Sequence, residues 1–310
     1  MSYPFNKPEN EPVKDYLPGS IEKKSLKEKI VELKNQRVDV PLIINGKDVI
    51  TDSISTIEVP HDHGTQLGKF YNASNEHVDL AIESNLRAWK SWSQVSLEER
   101  CAIFNKAADL LSTTWRDTIN AATMLNMSKN VYQAEIDAAC EMIDFFRFNS
   151  WYAYELSLQQ PMYSSTHIKN SLEMRPLEGF VFAVSPFNFA SIGGNLPSSP
   201  ALMGNVSLWK PASSAVLPAY YIMRLLQESG LPDGVINFIP GSGKEMGSRV
   251  IENSDLAGIH FTGSTKVFKG MWKSIGENID RYKTYPRIVG ETGGKDFCIA
   301  HESANVEILV

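Results

Sequence analysis

The sequence predicts an α/β fold: an open, doubly wound, mostly parallel sheet with helices on both faces, preceded by a helical region. Three observations carry that expectation. After Leu177, nearly continuous apolar runs of strand length recur near 179–184, 205–209, 235–239, 257–261, 287–290 and 296–300, with helical patterns between them. Strands buried on both faces read this way, and parallel strands need such crossovers. The stretch from Gly179 to Pro211 has the size of one strand–crossover–strand unit. Two glycine-bearing corners, Gly241-Ser242-Gly243-Lys244-Glu245-Met246-Gly247 and Phe261-Thr262-Gly263-Ser264-Thr265, fall where a strand passes into a helix. Helix N-termini at such corners attract anions.

From the N-terminus, residues 1–19 are rich in Pro and Asn and are expected to form an extended arm. From Ile21 to Gln36, Leu26, Ile30 and Leu33 line one face among lysines and glutamates, which predicts an amphipathic helix with a solvated side. Leu42 to Ile50 holds Asn45-Gly46, a hairpin-turn dipeptide, and short strands continue from Ile54 to Tyr71. At Asn75 the period changes: Val78, Ile82, Leu86 and Trp89 recur at helical spacing, and Ser96 with Glu99 has the capping-box spacing of a second helix through Leu111. Two further helices are expected over Thr113–Asn126 and from Val131 to Gln159, the latter with a core-forming aromatic cluster. Pro161 ends it. Thr166 to Arg175 alternates weakly and is expected to project as a strand of an oligomerisation hairpin. In the sheet region, Ser185-Pro186 breaks the first strand, a small-residue helix runs to near Met203, and the helix Ser214–Ser229 is closed by Gly230. The expected divisions are an arm and helix at 1–40, strands and helices at 41–175, and a nucleotide-binding α/β domain at 176–310.

Composition narrows the function classes. A length of 310 residues suits roughly two domains. The net charge of −6 gives no basic footprint for nucleic acid. No apolar run approaches the roughly eighteen residues of a membrane span. Cys101, Cys140 and Cys298 have neither disulfide nor metal-ligand spacing, which suits a reducing compartment and predicts no metal. Glu9, Glu11 and Asp15 oppose a mitochondrial presequence. The expected compartment is the cytoplasm, with the mitochondrial matrix as the alternative if a presequence has been removed.

The strings SPFNF, LWKPA, GLPDGVINFIPGSG, FTGST and VGETGGKDF, in this order and at these separations, resemble the NAD(P)-dependent aldehyde dehydrogenase superfamily. AEIDAACEMIDFFRFN and ALMGNVSLWKP are similar to its branch acting on L-glutamate γ-semialdehyde (1-pyrroline-5-carboxylate) in proline catabolism. The likeness runs from about Asn10 to the last residue. It implies an oxidoreductase using NAD, a small aldehyde substrate and a homo-oligomer.

Carried over by position, the resemblance makes Asn188 the side-chain donor of an oxyanion hole and Glu291 the general base that directs water. Lys210 would hold the adenosine ribose. Ser185, Gly263, Ser264, Thr265, Lys266 and Val267 would line the cofactor, with Ser264 near the pyrophosphate. Local sequence leaves alternatives open: Asn188 can cap the following helix, Thr262 or Ser264 can cap theirs, and Glu291 can be a turn residue. A glutamate directly after an apolar strand can also be desolvated in a closed cleft, with a raised pKa. Ser213 and Ser214 stand where many superfamily members carry an acid for the ribose, which leaves NAD against NADP less settled.

The family nucleophile is a cysteine a few dozen residues beyond the glutamate, and Cys298, in Phe297-Cys298-Ile299-Ala300, reads instead as a small buried thiol. The chain is therefore expected to be the N-terminal part of a longer enzyme, without the catalytic domain and without turnover. A non-catalytic NAD-binding or assembly module, or an aldehyde dehydrogenase for another aldehyde, is the alternative.

Overall fold

A computed structural model describes residues 7–294 and 297–309. Residues 7–19 run as an irregular arm into helix α1 (Ile21–Gln36), whose first turn is capped by Ser20 accepting the Lys23 N–H at 3.3 Å. Strands β1 (Val38–Val40), β2 (Leu42–Ile44), β3 (Lys47–Val49), β4 (Ile54–Val59) and β5 (Asp62–Tyr71) follow. The β2–β3 turn carries Asn45 at φ 52° and Gly46 at φ 73°, the double left-handed pair that joins antiparallel strands in two residues. Helices α2 (Asn75–Trp92), α3 (Leu97–Ser112) and α4 (Arg116–Met127) come next, with Ser96 and Glu99 forming the expected reciprocal cap.

The single long helix expected from Val131 is instead three consecutive pieces: α5 (Val131–Ala134), a π-helical turn (Glu135–Cys140) and α6 (Glu141–Ser157). The strand expected at 166–175 does not form. That loop is closed by side chains, Gln160 bonding both the C=O and the N–H of Leu172, and Asn170 donating to the Tyr163 carbonyl. Among the described residues no neighbouring strand is there to complete a ladder, and an isolated hairpin is marginal without one.

The remaining chain alternates β6 (Phe180–Val184), α7 (Ala190–Leu202), β7 (Val206–Lys210), α8 (Val216–Ser229), β8 (Ile236–Phe238), α9 (Gly243–Ile251), β9 (Leu256–Gly263), α10 (Thr265–Glu277) and β10 (Arg287–Thr292), with a short α11 (Val306–Leu309). Gly230 ends α8 at φ 99°, a conformation open to glycine. Among the described residues the large sheet has seven strands in the order β10-β9-β6-β7-β8-β2-β3. Strands β6 to β10 are mutually parallel, while β2 joins β8 antiparallel. The early hairpin thus extends the late sheet, and β1, β5 and β4 make a separate three-stranded sheet.

Phe180, Phe182, Leu208, Trp209 and Phe238 fill the sheet's core, Trp209 meeting Phe238 edge-on with ring centroids 5.1 Å apart. At the other margin β10 is paired on one side only, and Val289 is 59% exposed. The strand expected at 296–300 is absent over 297–300; its first residue, Asp296, lies outside the described residues. Cys298 is exposed rather than buried, because no described element covers this segment. Val310, the end of the expected terminal apolar face, is likewise outside the described residues.

Candidate active site

The chain lays down β6, β7 and β8 outward in one direction, then returns to place β9 on the other side of β6. That reversal makes a topological switch point, and the crevice outside the C-terminal strand ends there is where open α/β sheets bind ligands. Two corners flank it: Ser185–Asn188 after β6 and Gly263–Val267 after β9.

Asn188 is exposed in a bend before α7. It does not cap that helix: the N-cap position is Phe189, with no side-chain capping bond. The capping explanation of Asn188 therefore fails, and its exposed amide is left without a capping role at the strand ends. Ser185 behaves differently. Helix α7 contains Pro197 and Pro200, which cannot donate to the carbonyls four residues earlier, Gly193 and Leu196. The Ser185 hydroxyl donates to the Gly193 carbonyl at 2.9 Å, and His260 on β9 donates from Nδ1 to the Leu196 carbonyl at 2.9 Å. A carbonyl only accepts, so Nδ1 carries the hydrogen; burial also pushes the His260 pKa down and keeps the ring neutral. Trp209 Nε1 donates into the Ser185 hydroxyl at 2.6 Å. Ser185 was expected on the cofactor, but its buried hydroxyl repairs a proline-broken helix.

Lys210 ends β7. A Cβ placed on Gly243, at the start of α9, would lie 3.6 Å from Lys210 Nζ, so the ammonium reaches the first turn of that helix. Burial lowers its pKa, and among the described residues no carboxylate pairs with it. After β9, Ser264 caps α10 by accepting the Val267 N–H at 3.3 Å. Ser264, Thr265, Lys266 and Val267 are exposed.

Glu291 pairs in register with Thr262 on β9, and Phe261 with Val184 on β6. The C-terminal ends of β6, which leads to Asn188, and of β10, which carries Glu291, therefore lie on one side of the sheet, two strand spacings apart, on the order of 10 Å. Gly290 precedes the glutamate because Phe268, stacked on Phe261 at 5.6 Å, packs where a Cβ would stand; that Cβ would lie 2.3 Å from the ring. Glu291 is exposed, not desolvated in a closed cleft, since β10 is an edge strand with nothing described over its outer face.

The structure adds four residues that the sequence reading did not single out. Glu141, half-buried at the start of α6, accepts the hydroxyl of Ser191 in the first turn of α7, three residues beyond Asn188. Burial pushes the Glu141 carboxyl above its ordinary range, Ser191 opposes this, and the charges of Asp137 and Glu291 push it further up against Lys129. Lys129 pairs with Asp137 at 2.5 Å, and its ammonium lies 4.0 Å from the ring centroid of Phe189. Asp137 and Glu141, two acids four residues apart in an apolar helix, are a like-charge pair that a helix disfavours, and this was a legible signal.

Residues 50–310 match the sequence model of the aldehyde dehydrogenase family, and the chain belongs to that family. It is 50% identical over 302 residues to delta-1-pyrroline-5-carboxylate dehydrogenase of Agaricus bisporus, covering 97% of this chain and 55% of that protein. It is 46% identical over 301 residues to the mitochondrial delta-1-pyrroline-5-carboxylate dehydrogenase of Homo sapiens, covering 97% of this chain and 53% of that one. The crystal structure of delta-pyrroline-5-carboxylate dehydrogenase from Mycobacterium tuberculosis bound with NAD superposes with a TM-score of 0.93 at 46% identity, over 100% of this chain and 58% of that one. The chain spans about half the length of the curated relatives it matches. Among the described residues no helix is long and apolar enough to cross a membrane.

Proposed function

We propose that this chain is the nucleotide-binding part of an NAD-dependent dehydrogenase that oxidises L-glutamate γ-semialdehyde, the open form of 1-pyrroline-5-carboxylate, to L-glutamate in proline catabolism. One observation supports the reading: the loop that carries Asn188 follows β6 and Glu291 lies near the end of β10 on the same side of one parallel sheet, whose β7 ends in a desolvated lysine with no described acidic partner. The residues fit a dinucleotide. Lys210 offers a cation to ribose hydroxyls, and the first turn of α10, behind Gly263 and Ser264, offers the backbone N–H groups of Thr265 and Lys266 to a pyrophosphate, the Val267 N–H being taken by Ser264. Since the Ser185 hydroxyl is engaged with Gly193 and Trp209, and its N–H with the Lys210 carbonyl, only its backbone carbonyl remains for a cofactor.

When bound, NAD supplies the hydride acceptor. Asn188 would hold the oxygen that becomes anionic as a nucleophile adds to the aldehyde, a role of order 2.7–4 kcal/mol in such sites. Glu291 would take a proton from water attacking the resulting thioester. The thiol that forms this thioester belongs, in this reading, to polypeptide outside these residues. Cys101 and Cys140 are buried, with thiols pushed by burial up to about 11 and about 12. These 310 residues alone are then without turnover. The exposed Met162, Tyr163, Ile168 and Leu172 of the 160–175 loop support pairing of identical subunits there. The mitochondrial naming of the human relative supports the matrix rather than the cytoplasm.

Calorimetric titration of the folded chain with millimolar NAD is expected to give heat that saturates; a folded sample giving none removes the reading. NADH formed from the semialdehyde above a blank, and abolished by Cys298→Ser, overturns the placement of the nucleophile elsewhere.

A further inference from the structure

We infer that the N-terminal arm is a positioning element of this site, acting through the buried Glu135 and the π-helical turn it begins. Helix α6 is entered through that turn, and π turns of this kind recur at functional sites. One end of the turn is fixed by the arm. Glu135 is wholly buried, and its carboxylate accepts the Lys14 N–H at 2.8 Å, the Tyr16 hydroxyl at 2.8 Å, the Asn120 amide at 2.8 Å and the Arg116 guanidinium. Arg116 also donates to Glu11 at 2.5 Å and to the Pro12 carbonyl at 2.8 Å, while Arg147 donates to Glu11 at 2.7 Å. Tyr16 takes up a left-handed backbone at φ 52°, uncommon outside glycine, to reach this pocket.

The other end of the turn faces the site. Asp137, within the turn, holds Lys129 above Phe189, and Glu141, directly after it, holds Ser191 in the turn that follows Asn188. Arm, Glu135, π turn, Glu141 and Ser191 are therefore a continuous series of bonded or adjacent groups, ending three residues beyond Asn188. A slip of the π turn to a plain α-helical register would re-aim Asp137 and Glu141 together, withdrawing both supports of the corner. The inference rests on the reading of Asn188 and Glu291 given above, but its test does not depend on turnover.

Arg116→Ala leaves Glu135 buried without its cation and risks unfolding; Tyr16→Phe and Glu11→Gln are milder. In the 310-residue chain labelled with ¹³C-glutamate, the Glu141 carboxyl is assigned by its loss in Glu141→Gln and titrated by NMR against the groups facing it, Asp137, Lys129 and Glu291. Each mild variant is expected to lower its midpoint by about half a pH unit or more, as the carboxyl gains water. Amide exchange over 138–141 should quicken about tenfold. A lowered melting temperature with the Glu141 midpoint and these amides unchanged would make the arm a stabilising strap only, and overturn the inference. Binding of NAD by the same variants should stay at the parental affinity. Loss of NAD binding in the parent strikes the function above, whereas an unmoved Glu141 strikes this inference alone.

Discussion

The cluster under the arm and the crevice at the strand ends both hold charge away from bulk water, by opposite means. Around Glu135 each charge meets its complement: burial alone would raise that carboxyl, but Arg116, the Lys14 N–H and the Tyr16 hydroxyl hold it below its ordinary range. At the crevice, burial lowers the Lys210 pKa with nothing opposing it. A polar group matched internally stabilises the fold; one left unmatched at a ligand-binding edge is available to a ligand.

The comparison breaks most visibly at Arg116. Arg116→Ala should cost about 3–5 kcal/mol by denaturant unfolding, since Glu135 is left buried and unpaired; a loss within about 1 kcal/mol would mean water enters the cluster. Asn188→Ala is the contrasting case. It should leave the melting temperature unchanged, because Asn188 caps nothing, yet lower kcat by about 10²–10³ wherever turnover is measured. Lys210→Met should weaken NAD by about tenfold or more while raising stability at neutral pH. The sign follows from a lowered lysine pKa, which costs stability below the folded value and costs none above the unfolded one.

Acid titration sharpens the contrast between Glu135, which begins the π turn, and Glu141, directly after it. The Glu135 pKa is lowered, so its contribution is present above the unfolded value of about 4.3 and is lost as pH falls through the folded one. The Glu141 pKa is raised, so its contribution is present below the unfolded value and is lost as pH rises through the folded one. Glu141→Gln should therefore gain on the parent between acid and neutral pH, and Glu135→Gln should lose ground; parallel denaturant midpoints for both would erase the distinction. The smallest effect is chemical. Under native conditions iodoacetamide should label Cys298 and spare Cys101 and Cys140, read by peptide mass spectrometry.

Legibility tracked how local each signal is. Asn45-Gly46, Ser96 with Glu99 and Gly230 act within a few residues, and the structure uses each as expected. The apolar runs at 179–184, 205–209, 235–239, 257–261 and 287–290 became strands. The equally apolar run at 297–300 did not, because a strand also needs a neighbour. Ser185 shows the same limit at the site: nothing near it in sequence announces that Pro197 will orphan the Gly193 carbonyl it must satisfy.

By itself the sequence determined the class of fold, the strand–helix corners and the family motifs, since propensity, caps and turn dipeptides are decided by neighbours along the chain. Tertiary structure decided the strand order that creates the switch point, the exposure of Cys298 and Glu291, and the meeting of arm, π turn and α7. These depend on contacts between residues far apart in the sequence, such as Glu141 with Ser191, Phe180 with Leu256 and Glu135 with Tyr16. Burial and pairing, which set the charge state of such groups, exist only after the chain has closed on itself.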